Sequence, residues 1–241
     1  MREAHPDSDL LTDDAARVAH TLAALRGLGL EPVESTDVAL NATRLDRATW
    51  QVTAERPAMS TLVFVIALGA SREQLEEAID HAFDAMQRLI GLLTRFDTAS
   101  PVSHLNATGT LVGPPPEVRD VVSSALDYHR LTRGAFDVSV APLVDLFWDR
   151  LIRESPVEPT PAEVAEAQAR VGAEHIALSR RRIDLGRPGM RLTLDGIAKG
   201  YIVDAISAML DRGGVRRYLV HAGGDIRARG TNGEGRAWTV A

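Results

Sequence analysis

The clearest pattern in the sequence is an apolar segment that is followed at once by a long amphipathic helix. Residues 61–68 are rich in β-branched side chains and end at Gly69, which is typical of a buried strand. Ser71 and Gln74 then form the sequence pattern of a capping box. We expect a buried strand and a long helix packed on the core, because apolar residues recur at helical spacing. These are Leu75, Ala78, Ile79, Ala82, Phe83, Met86, Leu89, Ile90 and Leu93.

Shorter patterns on both sides of this pair predict further elements. A helix is predicted at residues 12–26, and residues 30–56 show no clear period and are interpreted as a connector. A further helix is expected after the prolines at residues 114–116. Another is expected to begin at the capping box of Thr160 and Glu163 and to end at Gly172. A third is expected at residues 196–211, and Gly213 and Gly214 would end it. Short strands are expected at residues 176–179, 182–185, 217–221 and 226–229.

The order of these elements indicates the fold class. Strands and helices alternate irregularly, and several short strands are neighbours along the chain. This order favours an α+β fold with mixed or antiparallel sheets and packed helices over a doubly wound parallel sheet. At 241 residues, the chain suits one large domain or two small lobes that share a core.

Composition and charge restrict the class of partner. The net charge is −6 and the chain has no Lys/Arg-rich run, so nucleic-acid binding is not expected. The absence of cysteine excludes disulfides and cysteine-based zinc sites. The N-terminal sequence lacks the pattern of a signal peptide, and the longest apolar run, residues 62–68, is too short to span a bilayer. We therefore expect a cytoplasmic protein.

Several common enzyme motifs are absent from the sequence. No G-x-G-x-x-G follows a predicted strand, and no P-loop, H-E-x-x-H or G-x-S-x-G pattern occurs. The seven histidines show no metal-ligand spacing. These absences argue against Rossmann dinucleotide sites, P-loop NTPases, zinc proteases and α/β-hydrolases.

Two polar segments in the first two thirds of the chain contain side chains of the types that bind ligands or metals. Residues 95–106 include Ser100 and Phe96. The Ser100 hydroxyl group suits hydrogen bonds to phosphate or ribose, and the Phe96 ring is suited to stack on a planar ring. A surface loop rich in turn-forming residues explains this segment as well, and by itself we favour that interpretation. In residues 132–143, Asp137 lies among apolar neighbours and must be paired, hydrogen-bonded or bound to a metal. A turn Asp that caps the next element is an equally good explanation.

A third segment, residues 192–204, joins a strand to a helix at Asp195 and Gly196. A helix N-terminus offers free N–H groups to an anion, and the Gly196 carbonyl is a suitable ligand for a hard cation. Lys199 in the first turn opposes the helix dipole, so an anionic ligand or a buried carboxylate would explain it better than solvent exposure. Asp204 lies further along the helix, where a solvated face is the simplest interpretation.

A fourth segment, residues 221–226, contains Gly223, Gly224 and Asp225 after a predicted strand. Paired glycines allow backbone amides to approach a ligand closely, and the carboxylate follows at once. An ordinary hairpin turn explains the same residues.

Together these segments resemble the FAD:protein FMN transferases, a family once described as thiamine-biosynthesis lipoproteins. Three of them follow the family's order: Gly-Ala-Phe-Asp at 134–137, Ala-Lys-Gly-Tyr at 198–201 with Asp204, and Gly-Gly-Asp at 223–225. Residues 100–106 match an upstream Ser/Asn segment, and residues 57–61 match an opening Met-Gly-Thr in which Ser60 replaces the Gly. We therefore expect residues 1–56 to be an N-terminal extension and residues 57–241 to be a flavin transferase-like domain.

The resemblance implies a specific activity and a set of binding residues. Family members bind FAD as substrate together with Mg²⁺, in two intertwined lobes around a flavin cleft. They transfer FMN to a Thr or Ser hydroxyl of an acceptor flavoprotein and release AMP. Asp195 and the Gly196 carbonyl would bind magnesium, although Asp195 stands two positions from the family's usual carboxylate and an Asp that caps the helix is the alternative. By matching positions, the FAD site would contain Phe96, Ser100, Asp137, Lys199, Asp204, Gly223, Gly224 and Asp225, with Lys199 and Asp225 catalytic.

The family pattern continues past residue 241 with an Asp and a Thr that help to bind magnesium, so we expect this chain to lack the usual C-terminal part. Three alternatives to a transferase stay open. The first is an FAD pyrophosphatase in which water replaces the acceptor hydroxyl. The second is a non-catalytic flavin-binding protein, and the third is an α+β domain of unrelated role.

Overall fold

The computed structural model describes residues 39–151 and 157–240, with the side chain of residue 151 left out. The predicted helix at residues 12–26 lies outside the described residues. The chain divides into two compact units. We call residues 91–197 the first unit and residues 39–90 together with 198–240 the second unit.

Strands and helices alternate irregularly along the described part of the chain. In chain order they are β1 (Ala39–Arg44), β2 (Trp50–Ala58), β3 (Thr61–Gly69), α1 (Arg72–Leu93), α2 (Pro101–Thr108), β4 (Thr110–Val112), α3 (Pro116–Leu131), α4 (Ala141–Leu151), α5 (Pro161–Gln168), a 3₁₀-helix (Ala173–His175), β5 (Ile176–Leu178), β6 (Arg182–Leu185), α6 (Ala198–Arg212), β7 (Arg217–Ala222) and β8 (Asp225–Arg229).

The second unit is built on a five-stranded antiparallel sheet in the order β1-β2-β3-β7-β8. Along β2 and β3 every second residue is buried, as the two-residue period of a half-buried strand requires. The residues that follow this period are Val52, Ala54, Val63, Val65 and Ala67, and Leu68 of β3 is buried as well. Helix α1 contributes the predicted stripe to the core, since Phe83 and Met86 are almost fully buried.

The first unit holds a smaller antiparallel sheet, in the order β4-β6-β5, with α2, α3, α4 and α5. Helix α3 buries Val118, Val121, Val122 and Ala125, which share one face at helical spacing. Helix α5 begins with a complete capping box, because Thr160 accepts from the Glu163 amide while Glu163 accepts from the Thr160 amide.

Most sequence-based expectations are confirmed. The structure is mixed, with antiparallel sheets and packed helices, as the order of elements indicated. The expected strands and the expected helices α1, α3, α5 and α6 are present within a few residues of the predicted positions, whereas α4 and β4 were not predicted. Helix α6 ends as predicted, because the Gly213 amide donates to the Met209 carbonyl and Gly214 adopts a positive φ of 81°.

Three interpretations are wrong in detail. Residues 39–44 and 50–56 form β1 and part of β2 rather than a connector, so the predicted domain boundary after residue 56 falls inside β2. The sequence of β1 does not indicate a strand, because β1 is almost entirely exposed and lacks an apolar period. Residues 101–108 form α2 instead of continuing a polar loop. Helix α5 ends at Gln168, before Gly172.

The capping box at the start of α1 is only half formed. The Gln74 amide donates to the Ser71 hydroxyl, but the Gln74 side chain donates to the Gly213 carbonyl at 2.8 Å. At the same place a Cβ on Gly213 would lie 2.7 Å from the Ala78 Cβ. Glycine at position 213 therefore permits the close approach of α1 to the end of α6.

The turn between β2 and β3 has a backbone conformation that would suit a glycine at position 60, where this chain has Ser60. Met59 and Ser60 both adopt positive φ values, 52° and 58°, and Ala58 pairs with Thr61. Two consecutive left-handed residues are typical of a type I′ hairpin turn, which glycine and asparagine adopt most easily.

In the part of the chain that the structure describes, no helix has the length and apolarity needed to cross a membrane. The cytoplasmic location stays a prediction.

Replacing Gly213 by Ala is expected to lower the free energy of unfolding by about 1–3 kcal/mol, because the added methyl group overlaps Ala78. Gly91→Ala is the matched control. Gly91 lies inside α1 with nothing within 4 Å of an added Cβ, so we expect this change to stabilise by about 0.5–1 kcal/mol. Urea unfolding followed by circular dichroism measures both, and equal effects of the two changes would contradict the packing argument.

Candidate functional site

In the first unit, Phe96 presents an aromatic surface on the loop after α1. Its side chain is 47% exposed, and the Arg95 guanidinium carbon lies 4.5 Å from the ring centroid. Arg95 is itself fixed by Asp145, whose Oδ1 lies 2.7 Å from Nη1. The arrangement preorganises an aromatic–guanidinium pair whose exposed surface suits a planar ring.

Asp195 and Gly196 lie in the turn just before α6. The Asp195 carboxylate is 60% exposed and 3.6 Å from Arg95 Nε, and its backbone amide donates to the Thr193 hydroxyl. A Cβ on Gly196 would lie 3.3 Å from the Phe136 ring, so the backbone runs close to this aromatic side chain.

The ligand atoms that this turn offers are of the kind that binds magnesium. A carboxylate and a backbone carbonyl supply only oxygen ligands, and Mg²⁺ in proteins is commonly held by one or two carboxylates together with substrate phosphates and water. The exposure of Asp195 leaves room for a hydrated ion, which would share the carboxylate with Arg95.

Ser100 has a structural role in the first unit. It is the N-cap of α2: its buried hydroxyl accepts from the Ser103 amide and donates to the Thr94 carbonyl at 2.5 Å. Pro101 follows at the first helical position, where its missing N–H costs nothing. The predicted contact of Ser100 with FAD would have to compete with this cap.

Asp137 also has internal partners. Oδ1 accepts from the amide and the hydroxyl of Ser139, at 2.7 and 2.5 Å, and Oδ2 accepts from the Ala173 amide at 3.1 Å. The carboxylate is 10% exposed. These hydrogen bonds fit an Asp that caps the following turn. His129 Nδ1 also lies 3.4 Å from Oδ2, and a role of Asp137 in ligand binding stays a prediction.

In the second unit, two segments that are distant in the sequence meet at the start of α6. A Cβ on Gly200, in the first turn, would lie 4.0 Å from Oδ1 of Asp225. The Asp225 carboxylate is exposed, and it lies next to the positive end of the helix dipole. The structure therefore brings together the Ala-Lys-Gly-Tyr and Gly-Gly-Asp segments.

Lys199 precedes Gly200 in the same turn. It is half-buried and is the only lysine in the sequence. No ion pair of Lys199 occurs within residues 39–151 and 157–240. A half-buried ammonium group at a helix N-terminus, with no carboxylate partner among the described residues, favours an anion as its partner.

The Gly223–Gly224 turn is held by a histidine. The Gly224 amide donates to Nε2 of His221 at 3.1 Å, and the His221 ring stacks on Phe64 with centroids 6.0 Å apart. Both glycines have positive φ values, 57° and 107°, and a Cβ on Gly223 would lie 2.7 Å from the Thr61 hydroxyl oxygen. No other residue fits at Gly223 without displacing Thr61.

Asp204 lies on an exposed face of α6, as expected, and pairs there with a residue of β8. Its Oδ1 pairs with Nη1 of Arg227, and this hydrogen bond raises the pKa of Arg227 above its ordinary value. Both side chains are more than half exposed, so the pair contributes little to the free energy of folding.

Sequence patterns missed three residues of these sites. Arg95 contacts Phe96 and Asp195, His221 fixes the glycine turn, and Arg227 pairs with Asp204. Arg95 and His221 stand beside residues that the motifs contain, but only the tertiary structure shows which atoms they contact.

Comparison with known proteins identifies the family. The ApbE family profile matches residues 47–241. An FAD:protein FMN transferase of Salmonella typhimurium is 31% identical over 196 residues, which cover 78% of this chain and 55% of that protein. Another, of Haemophilus influenzae, is 32% identical over 157 residues, which cover 62% of this chain and 45% of that protein. The chain spans about half the length of the curated relatives it matches.

Solved structures agree with this assignment. The flavin transferase ApbE of Vibrio cholerae superposes with a TM-score of 0.70 at 26% identity, covering 83% of this chain and 63% of that one. An ApbE protein of Thermotoga maritima shares the fold with a TM-score of 0.65 at 24% identity, covering 76% of this chain and 60% of that one. With residues 47–241 matched by the family profile, the chain belongs to the ApbE family.

Proposed function

We propose that the protein containing this chain transfers FMN from FAD to a Thr or Ser hydroxyl of an acceptor flavoprotein, with release of AMP and with a requirement for Mg²⁺. The observation that supports this most directly is the meeting of Gly200 and Asp225 beside Lys199 in the second unit. Relatives named FAD:protein FMN transferase support the reaction class.

In the proposed reaction, the acceptor hydroxyl oxygen attacks the phosphorus of the FMN half of FAD. A new P–O bond forms, the bond from that phosphorus to the bridging oxygen breaks, and AMP leaves with the bridging oxygen. The hydroxyl proton passes to a carboxylate, which we assign to Asp225 because it is exposed and lies next to the first turn of α6.

Lys199 and the free amides at the start of α6 are proposed to bind the pyrophosphate. Charge builds up on the phosphoryl oxygens during transfer, and preorganised cations and N–H groups lower its energy. The positive-φ turn of Gly223 and Gly224 adds exposed backbone close to Asp225.

In the first unit, Phe96 is proposed to stack on a ring of FAD with Arg95 as its support. Asp195 and the Gly196 carbonyl would hold Mg²⁺, which when bound neutralises pyrophosphate charge. Asp137 and Ser100 are proposed to act mainly by shaping the backbone of this unit, because their polar atoms already have partners. Asp204 is proposed to position β8 through Arg227.

The test mixes the purified protein with FAD, Mg²⁺ and an acceptor carrying an FMN-binding domain, and follows flavin fluorescence of the acceptor band in a denaturing gel. The 241-residue chain is assayed with and without a chelator. We expect a fluorescent acceptor band that the chelator abolishes, and one AMP released for each flavin attached.

Other results would support other functions. AMP and free FMN without a fluorescent band would indicate an FAD pyrophosphatase. Binding of FAD without AMP would indicate a non-catalytic flavin-binding protein. Absence of FAD binding by the folded protein would contradict the proposal.

A further inference from the structure

Asn106, in the last turn of α2, is paired with the backbone of one residue that is distant in the sequence. Its Nδ2 donates to the Leu192 carbonyl at 2.9 Å, and its Oδ1 accepts from the Leu192 amide at 2.7 Å. A side-chain amide has one donor group and one acceptor group, so it can match both polar groups of a single backbone residue. Asn106 therefore satisfies the N–H and the C=O of Leu192 at the same time.

The residues on both sides of Leu192 are held by a different part of the first unit. The Thr193 amide donates to the Val138 carbonyl at 2.8 Å, and Arg191 forms a parallel bridge with Val140. Successive residues of this segment thus bond alternately to the chain before α4 and to the side chain from α2. Residues 191–193 are fixed from both edges, and one edge depends on a single asparagine.

The turn that contains the candidate magnesium ligands follows this segment directly. The Ile197 amide donates to the Leu194 carbonyl at 2.9 Å, which closes a four-residue turn with Asp195 and Gly196 at its central positions. The Leu194 side chain is almost fully buried, so the turn cannot shift along the chain without exposing apolar surface. The backbone before the turn therefore sets the place of the Asp195 carboxylate and of the Gly196 carbonyl.

Loss of the Asn106 side chain would leave two polar groups without partners in the interior. Leu192 is fully buried, so its N–H and C=O cannot turn to water while the segment keeps its place. Local opening of the segment would restore their hydrogen bonds to water, at the cost of the packing around it. Such an opening moves the turn that begins two residues later.

We propose that Asn106 is a positioning residue for magnesium binding: it acts through the backbone of Leu192 and holds Asp195 and Gly196 in place. This inference rests on the proposed function, in which these two residues bind Mg²⁺. Asn106 itself is assigned no contact with the metal or with FAD. Groups that orient the ligands of a metal from behind typically contribute about 10–100-fold to metal affinity or activity.

The first measurement is hydrogen exchange in the protein without FAD or metal, followed by mass spectrometry of peptides that cover residues 191–197. Asn106→Leu keeps the approximate size of the side chain and removes both hydrogen bonds. Asn106→Asp keeps an acceptor for the Leu192 amide and is the second variant in case the first does not fold. We expect exchange in this segment to be at least about 10-fold faster in both variants, because it opens locally.

The second measurement is the binding of Mn²⁺ in the presence of FAD, counted by electron paramagnetic resonance. Mn²⁺ is used as the probe because it prefers the same oxygen ligands as Mg²⁺. We expect both Asn106 variants to bind Mn²⁺ about 10–100-fold more weakly than the unchanged protein. The Mg²⁺ concentration that gives half-maximal FMN transfer should rise by the same factor, and excess Mg²⁺ should restore most of the rate.

Ile183→Val is the matched control, because it removes one fully buried methylene from β6 of the same unit and leaves residues 191–197 unchanged. We expect normal exchange in that segment and normal Mn²⁺ affinity. Combining Asn106→Leu with Asp195→Asn should weaken Mn²⁺ binding no further than Asp195→Asn alone, since both changes act on the same ligand.

Three results would overturn the inference. Normal Mn²⁺ affinity in both Asn106 variants would exclude the positioning role and leave the proposed transferase intact. An equal loss of affinity in Ile183→Val would assign the effect to general destabilisation of the unit. Absence of both Mn²⁺ binding and FMN transfer in the unchanged protein would overturn this inference together with the proposed function.

Discussion

Replacing Asp225 by Asn is expected to slow FMN transfer by about 10²–10⁴-fold, the usual contribution of a positioned general base. The proton of the acceptor hydroxyl then has no carboxylate to accept it, while the size and shape of the side chain are kept. Because Asp225 is exposed, we expect no measurable loss of stability. The rate of appearance of the fluorescent acceptor band measures the effect, which should reduce kcat and kcat/KM alike.

The single lysine offers a way to separate binding from chemistry in this variant. Reductive methylation with ¹³C-formaldehyde labels only Lys199 and the N-terminal amine, so the Lys199 resonance reports on FAD binding. We expect FAD to shift this resonance equally in the Asp225→Asn variant and in the unchanged protein. Asp84→Asn, an exposed change on α1, is the matched control and should transfer FMN at the normal rate. A normal rate in Asp225→Asn would exclude this carboxylate as the base.

Replacing Asp137 by Ala is expected to lower the free energy of unfolding of the first unit by about 2–4 kcal/mol. The carboxylate accepts three hydrogen bonds, from the Ser139 amide, the Ser139 hydroxyl and the Ala173 amide. Ser139 is fully buried, so its donors cannot turn to water when the carboxylate is removed. Urea unfolding measures the change.

Asp127→Ala on α3 is the control for this change. Asp127 is mostly exposed and pairs with Arg130 of its own helix, so its replacement should alter the free energy of unfolding by less than about 0.5 kcal/mol. If Asp137→Ala were as stable as the control and yet failed to bind FAD, the carboxylate would be a ligand contact rather than a cap.

Local patterns predicted much of the fold because their physical cause is local. The stripe from Leu75 to Leu93 predicts α1, since a helix repeats every 3.6 residues and buries one face. The apolar run at β3 predicts a strand that is buried in the middle of a sheet. Strands β1 and β2 lie at the edge of that sheet and next to it, and β1 carries no apolar period for a sequence pattern to reveal.

The sequence indicates which residue types belong to the candidate site, but it indicates their individual roles less well. Phe96, Lys199 and Asp225 have the exposure or the neighbours that a ligand contact needs. Ser100 and Asp137 belong to the same family-like segments, but their polar atoms are engaged in a helix cap and a turn. A motif records which residues recur together, whereas hydrogen-bond partners depend on the fold around them.

The sequence by itself determined the family, the class of fold and the position of most helices and strands, because these follow from periodicity, capping residues and ordered motifs. Only the tertiary structure decided where the Gln74 side chain donates its hydrogen bond and that Asp225 lies beside Gly200. These contacts join residues that are far apart along the chain. Their distances are set by packing, which no local pattern encodes.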